Sequence, residues 1–252
     1  MSAGRGNCTK GITAGESGTI VDMLNLKRIK AISLDLDDTL WPIWPTIERA
    51  EKVLHEWLAV HAPMTAAMYA SPRALREIRD AVEQQRPDLA HDMTALRRES
   101  IRLALSNAGD NPQLAGAAFE IFIAERHNVS FFPDALPALE FLAARYPLVS
   151  LSNGNAEVSR LNVAPLFAAS VSALKVGVSK PDARIFQAAA QAVGVQAHEV
   201  LHVGDDAVLD VLGARDAGMQ AAWVNREQKP WPHADRPHLE LADLSELVGA
   251  LR

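Results

Sequence analysis

Asp35, Asp37 and Asp38 stand almost side by side, directly after the apolar run Ala31-Ile32-Ser33-Leu34. Further along come Ser152-Asn153, then Lys180, then Gly204-Asp205-Asp206 with Asp210. Crowded carboxylates repel one another, and some take up protons unless a cation neutralises them. Their oxygens suit Mg²⁺, which keeps several waters and bridges protein to phosphate. Asp35 and Asp205 are the natural side-chain ligands, and Asp37 can add its backbone carbonyl. Such an ion screens Asp35 from a phosphate dianion and holds the phosphorus for in-line attack. Attack by a carboxylate gives an aspartyl-phosphate.

The other groups take complementary roles. Ser152 offers a hydroxyl and Asn153 a backbone N–H to a phosphate oxygen, while Lys180 balances the phosphate and the aspartates. Lys175 is a nearby rival for that charge, but the Lys180-Pro181-Asp182 context favours Lys180. Asp37 can protonate a leaving alkoxide and then activate the hydrolytic water, acid–base catalysis worth about 10²–10⁴-fold. Asp38 reads instead as a capping or turn residue.

Strand–helix alternation must position these groups. The first apolar run reads as a buried strand over 31–36 that delivers carboxylates at its C-terminal end. Further strands are expected over 147–151, 170–173, 200–203 and 220–224. Helices are expected over 137–145, 182–193, 208–217 and 244–251, with an irregular stretch at Trp231-Pro232 and Arg236-Pro237. The alternation implies an α/β fold, a doubly wound parallel sheet whose ligand site lies beyond the strand C-termini. Between the first strand and the rest lies a block of helical patterns. Over 46–61, Ile47, Ala50, Val53, Leu54, Trp57 and Leu58 form one stripe. Further helices are expected after Ser71-Pro72 and over 93–105 and 114–126. The expected organisation is a core of 23–43 and 132–252 with a helical cap of 44–131. In the cap, His91, Arg97 and Arg98 can touch a substrate or simply form a polar helix face. Trp57 reads as core packing, whereas Trp41 and Trp44, just after the acidic turn, can stack on a substrate ring.

The chain has 252 residues, 48% hydrophobic and 22% charged, with a net charge of −6. That composition builds a substantial core, and it shows no basic surplus or stripe for nucleic acid. Cys8 is the single cysteine, so no intramolecular disulfide is available. No apolar run reaches the ~18 residues that a membrane span needs. Residues 1–22, rich in small polar residues, read as a disordered tail preceding Met23. The expected location is the cytoplasm.

The stretches Asp35-Leu36-Asp37-Asp38-Thr39-Leu40, Ser152-Asn153-Gly154-Asn155, Ser179-Lys180-Pro181-Asp182 and Gly204-Asp205-Asp206-x-x-x-Asp210 resemble, in order, the four motifs of the haloacid dehalogenase-like (HAD) hydrolases. The resemblance implies a Rossmann-like core with a helical cap inserted between the first two motifs. It implies Asp35 as nucleophile and Asp37 as general acid/base, with Asp35, Asp37 and Asp205 binding Mg²⁺. Ser152, Asn153 and Lys180 would hold phosphate, with Asp206 and Asp210 as supporting acids. A narrower similarity runs through Asp35 to Trp41, His91-Asp92-Met93-Thr94 with Arg97, the Asn153-Gly154-Asn155-Ala156 turn, and His202-Val203-Gly204-Asp205-Asp206 with Gly218-Met219-Gln220-Ala221. These stretches look like a bacterial phosphatase group that acts on FMN and on 5-amino-6-(5-phospho-D-ribitylamino)uracil, a riboflavin precursor. The implied partner is therefore a small-molecule phosphate ester. Rival readings are a phosphatase for another metabolite such as a sugar phosphate, a 2-haloacid dehalogenase, and a phospho-aspartate signalling module. Asp37 and Asp205 count against a dehalogenase. The late position of Asp205-Asp206 and the large insertion count against the signalling module.

Overall fold

The computed structural model describes residues 24–252. The expectation for residues 1–22 lies outside that range. Strand β1 (Ala31–Leu34) is followed by helices α1 (Ile43–His61), α2 (Pro63–Met68), α3 (Pro72–Gln85), α4 (Met93–Ala108) and α5 (Ala115–Arg126). The chain then returns through α6 (Ala135–Ala143), β2 (Leu148–Ser152), β3 (Ala169–Ser172), α7 (Ala173–Val176), α8 (Ala183–Ala192) and β4 (Val200–Gly204). A π-helical turn over Ala207–Leu212 leads into α9 (Gly213–Asp216), β5 (Gln220–Val224), β6 (Leu239–Leu241) and α10 (Leu244–Ala250).

The strands form one parallel six-stranded sheet in the order β3-β2-β1-β4-β5-β6. This is the doubly wound order, with β1 at its centre. Side chains alternate across a strand. Ile32 and Leu34 therefore join Leu139, Leu142, Leu201, Val203 and Leu244 on one face, under α6 and α10. Ala31 joins Val149, Leu151, Ile185, Phe186 and Val211 on the other, under α8 and α9. Covered on both faces, β1 and its neighbours β2 and β4 are buried at every position and mostly apolar, as expected of central parallel strands.

The helices of the expected cap share a core of Ala50, Leu54, Leu58, Ile101, Leu105, Phe119 and Phe122, separate from the two clusters on the sheet. Three of these lie on the expected stripe of α1; Trp57 is partly buried and stacks on His61 at 4.2 Å. The two connections between cap and sheet meet where Phe132 N donates to Leu40 O at 2.9 Å.

Four local differences from expectation have physical causes. β1 ends at Leu34, not at residue 36, because the chain folds at once into a tight turn: Leu40 N bonds Leu36 O, Asp38 N bonds Trp41 O, and Asp38 is left-handed at φ 57°. Aspartate tolerates that region because its short side chain bonds locally; here Asp38 Oδ1 accepts from Ile43 N at 2.9 Å. The expected helix over 208–217 is split, its first part a π turn in which Asp210 N and Val211 N both bond Asp206 O. Helix α2 is too short to show periodicity in sequence. β6 is a three-residue edge strand within a stretch read as irregular, held by pairing with β5. Among the described residues no helix is long and apolar enough to cross a membrane.

Asp134 ties the return connection to the end of the fold. Its oxygens accept from Arg226 Nη1 and Nη2 at 3.0 and 2.8 Å and from Leu244 N at 2.9 Å. Asp134→Ala leaves a largely buried guanidinium and the α10 N-terminus without this acceptor. It should lower unfolding free energy by about 1–3 kcal/mol, measured by urea denaturation.

Candidate active site

The acids stand where the central strands end. Asp35 follows β1 and its backbone N–H donates to Val203 O at 2.9 Å. Ser152 is the last residue of β2, and Asp205 directly follows β4. Lys180 reaches in from the loop before α8. Its Nζ lies 2.5 Å from Asp35 Oδ1 and 2.6 Å from Asp210 Oδ1, and Lys180 is 5% exposed. Lys175, the rival, has an exposed contact between Nζ and the Ser170 carbonyl at 3.4 Å.

Asp210 reaches Lys180 because Gly204 makes room. A Cβ on Gly204 would lie 2.3 Å from Asp210 Cγ. Asp210 is fully engaged. Oδ1 also lies 3.1 Å from His202 Nε2, and Oδ2 accepts from Asp206 N at 3.0 Å. His202 is held low by burial, so it is neutral, with Nε2–H donating to Asp210 and Nδ1 accepting from Ser33 Oγ at 2.8 Å. Asp206 does not join the cluster; its side chain caps the π turn by accepting from Val208 N and Leu209 N.

Charge is distributed unevenly among these groups. Burial and the nearby Asp210 and Asp205 carboxylates push Asp35 well above the usual aspartate range despite Lys180. Burial, then the Asp210 charge, pushes Asp205 up to about 7. Burial would raise Asp210 too, but Lys180 and His202 outweigh it and hold it below the usual range. Burial works against the Lys180 ammonium, yet Asp210 and Asp35 carry it above the ordinary lysine range. The fixed ion pair is thus Lys180–Asp210, and Asp35 and Asp205 are the two acids short of positive charge. Oxygens of Asp35, Asp205 and Asp210 all lie within 4.8 Å of one another. Hard, crowded oxygen donors that lack a counter-charge fit Mg²⁺, with Asp35 and Asp205 best placed to hold it.

The loop after β2 is pinned by hydrogen bonds. Asn153 uses its side chain on the Lys180 backbone, donating to Lys180 O at 3.0 Å and accepting from Lys180 N at 2.7 Å. Ser152 Oγ accepts from Gly154 N at 3.0 Å. A cavity of about 190 Å³ is lined by Asp35, Asp37, Ser152, Asn153, Gly154, Lys180, Asp205, Asp206 and Asp210.

Asp37 is held by the cap. Arg126 Nη2, from the last residue of α5, lies 2.6 Å from each of its oxygens, and Trp41 Nε1 donates to Oδ1 at 2.8 Å. Trp41 is fully buried and packs edge-on against Phe131, so it supports Asp37 and faces no substrate. Trp44 is 57% exposed and lines a cavity of about 370 Å³ with Asp37, Arg97 and Arg126. His91 lines a separate cavity of about 120 Å³ beside Asn155, and Arg98 is exposed, lying over Phe119. Arg126, Arg76 and Arg79 carry no local signature in sequence.

The family described as haloacid dehalogenase-like hydrolase matches residues 29–218, from the lead-in of β1 through the cap to the end of α9. The chain belongs to the haloacid dehalogenase-like hydrolases. Among curated relatives it is similar to the 5-amino-6-(5-phospho-D-ribitylamino)uracil phosphatase YigB of Escherichia coli (strain K12), 33% identical over 234 residues, 90% of this chain and 98% of YigB. It is also similar to a phosphoserine phosphatase of Thermus thermophilus, 35% identical over 61% of this chain and 64% of that protein. A solved 2-haloacid dehalogenase from Pseudomonas syringae pv. Tomato DC3000 superposes with a TM-score of 0.80 at 39% identity, covering 88% of this chain and 98% of that one.

Metal binding should be pH-dependent through these acids. Because Asp205 is raised to about 7, Mg²⁺ must displace a proton at lower pH. The Mg²⁺-induced rise in Tm should therefore grow between about pH 6 and pH 8, and Asp205→Asn should remove most of it. A thermal-shift series across pH checks both.

Proposed function

We propose that the protein is a Mg²⁺-dependent phosphatase that hydrolyses a small-molecule phosphate monoester through an aspartyl-phosphate on Asp35. The observation that supports this best is the pairing of Asp35 with Lys180 next to Asp205, all lining one cavity with Ser152 and Asn153. The Lys180 ammonium and the Ser152 hydroxyl bind the phosphate oxygens, and Mg²⁺, when bound, neutralises and orients them. Asp35 attacks phosphorus as the ester oxygen leaves. Asp37 gives that oxygen a proton, then takes one from the water that hydrolyses the intermediate. In the present arrangement Asp37 only accepts hydrogen bonds. Donation requires Arg126 Nη2 to release one oxygen.

The near full-length match to YigB supports 5-amino-6-(5-phospho-D-ribitylamino)uracil as substrate, and the motif resemblance adds FMN as a second candidate. The Pseudomonas syringae structure favours a second reading, a 2-haloacid dehalogenase. The uncompensated acids Asp35 and Asp205 weigh against it, since displacement of a halide needs no ion to tame a phosphate.

The expected outcome is phosphate release from aryl phosphate and FMN that EDTA abolishes. Asp35→Asn should fold normally and lose activity by at least about 10³-fold. Chloride release from 2-chloropropionate with no phosphate release would establish the second reading instead.

A further inference from the structure

The cavity of about 370 Å³ beside Asp37 is lined by four arginines from three cap helices: Arg76 and Arg79 of α3, Arg97 of α4 and Arg126 of α5. Their charges are not fully answered within the protein. Glu51 of α1 is 0% exposed and takes Arg76 Nε at 3.0 and 2.8 Å. The same carboxylate is the acidic partner of Arg97, at 3.6 Å. One buried carboxylate thus faces two guanidinium groups, and Arg97 is 5% exposed, lying over Phe122. Burial lowers Arg97 to about 10, and the charges of Arg79 and Arg76 work in the same direction. Arg79 pairs with its exposed neighbour Asp80.

Arg126 adds an independent sign. It is 1% exposed; Nη2 is spent on Asp37, and Nη1 is buried without a hydrogen-bond partner. A buried donor left unpaired is unfavourable, and a buried charge in excess more so. Oxygen acceptors brought by a ligand relieve both. The cavity shares Asp37 and Gly154 with the phosphate cavity, so whatever fills it is joined to the ester oxygen that Asp37 serves.

We propose that this arginine-lined cavity binds the far end of the leaving group and selects groups that carry planar oxygen acceptors, a ring with carbonyl oxygens or a carboxylate, over neutral polyols. The inference rests on the phosphatase reading of the adjoining site. Trp44 provides a flat exposed face at the mouth of the cavity, where Arg76 lies 5.3 Å from its ring. A ring can stack there. The volume falls within the roughly 300–1,000 Å³ typical of small-molecule pockets, more than a three-carbon polyol fills.

The test compares kcat/KM of the full chain with Mg²⁺ on FMN, phosphoserine, glycerol phosphate and p-nitrophenyl phosphate. Wild type should prefer FMN or phosphoserine over glycerol phosphate by at least tenfold. Arg79→Gln should reduce the preferred substrate's kcat/KM relative to that of p-nitrophenyl phosphate by about tenfold, mainly through KM, and Arg79→Lys should restore part of it. Arg76→Gln should act in the same direction. A fall confined to FMN identifies a ring, and one confined to phosphoserine identifies a carboxylate. Equal turnover of glycerol phosphate, or equal losses on all four esters, overturns the inference. Absence of Asp35-dependent phosphate release from every ester overturns the underlying phosphatase reading instead.

Discussion

A single lysine amine placed between two buried carboxylates governs the architecture at the end of the sheet. Lys180 serves Asp210 and Asp35 together, and both contacts are buried. Three carboxylates converge there on one ammonium, so the local charge does not balance. Much of the surrounding structure makes that imbalance tolerable. Gly204 gives Asp210 its path, and His202 and the Asp206 N–H complete the hydrogen bonding of Asp210. Asn153 pins the Lys180 backbone at both of its polar atoms. The remaining deficit falls on Asp35 and Asp205, the two groups that a hard divalent cation would satisfy.

The cap is joined to this arrangement through a residue of the core. Asp37 sits in the turn after β1, yet its firmest partner, Arg126, closes the last cap helix. The next residue extends the link: His127 Nδ1 contacts Ile123 O, and its Nε2 accepts from Glu157 N in the loop beyond Asn155. Gly154 lies against the same junction, where a Cβ would come within 2.8 Å of Asp37 Oδ2. The acid, the cap exit and the loop after β2 therefore pack as one unit. A shift of the cap relative to the sheet must change the surroundings of Asp37.

What could be read from the sequence followed from local rules. Apolar runs ending in Asp35, Ser152 and Asp205 marked buried parallel strands, and their C-terminal ends marked one edge. The helical stripe of α1 marked an insertion. What could not be read depended on partners distant in sequence. Arg126 meets Asp37 across 89 positions, and nothing near either residue announces the pair. Glu51 lies in a helix where a carboxylate usually faces water, and tertiary packing turns it inward. Trp41 was open to a stacking role because its neighbours are catalytic in type, but the tight turn points its indole into the core. The π turn after β4 has no sequence signature, because over six residues an apolar helical period looks the same whether the ladder closes at four residues or five.

Two indole groups carry a further consequence. Trp41 donates its N–H to the Asp37 carboxylate, and Trp223 donates its N–H to the Asp205 carbonyl at 2.7 Å. Indole emission responds to the charge and polarity at that N–H. Two of the protein's five tryptophans are thus built-in optical probes, one wired to the acid beneath the cap and the other to the acid after β4. With the other three tryptophans replaced, their emission should report on the two halves of the site without any added label.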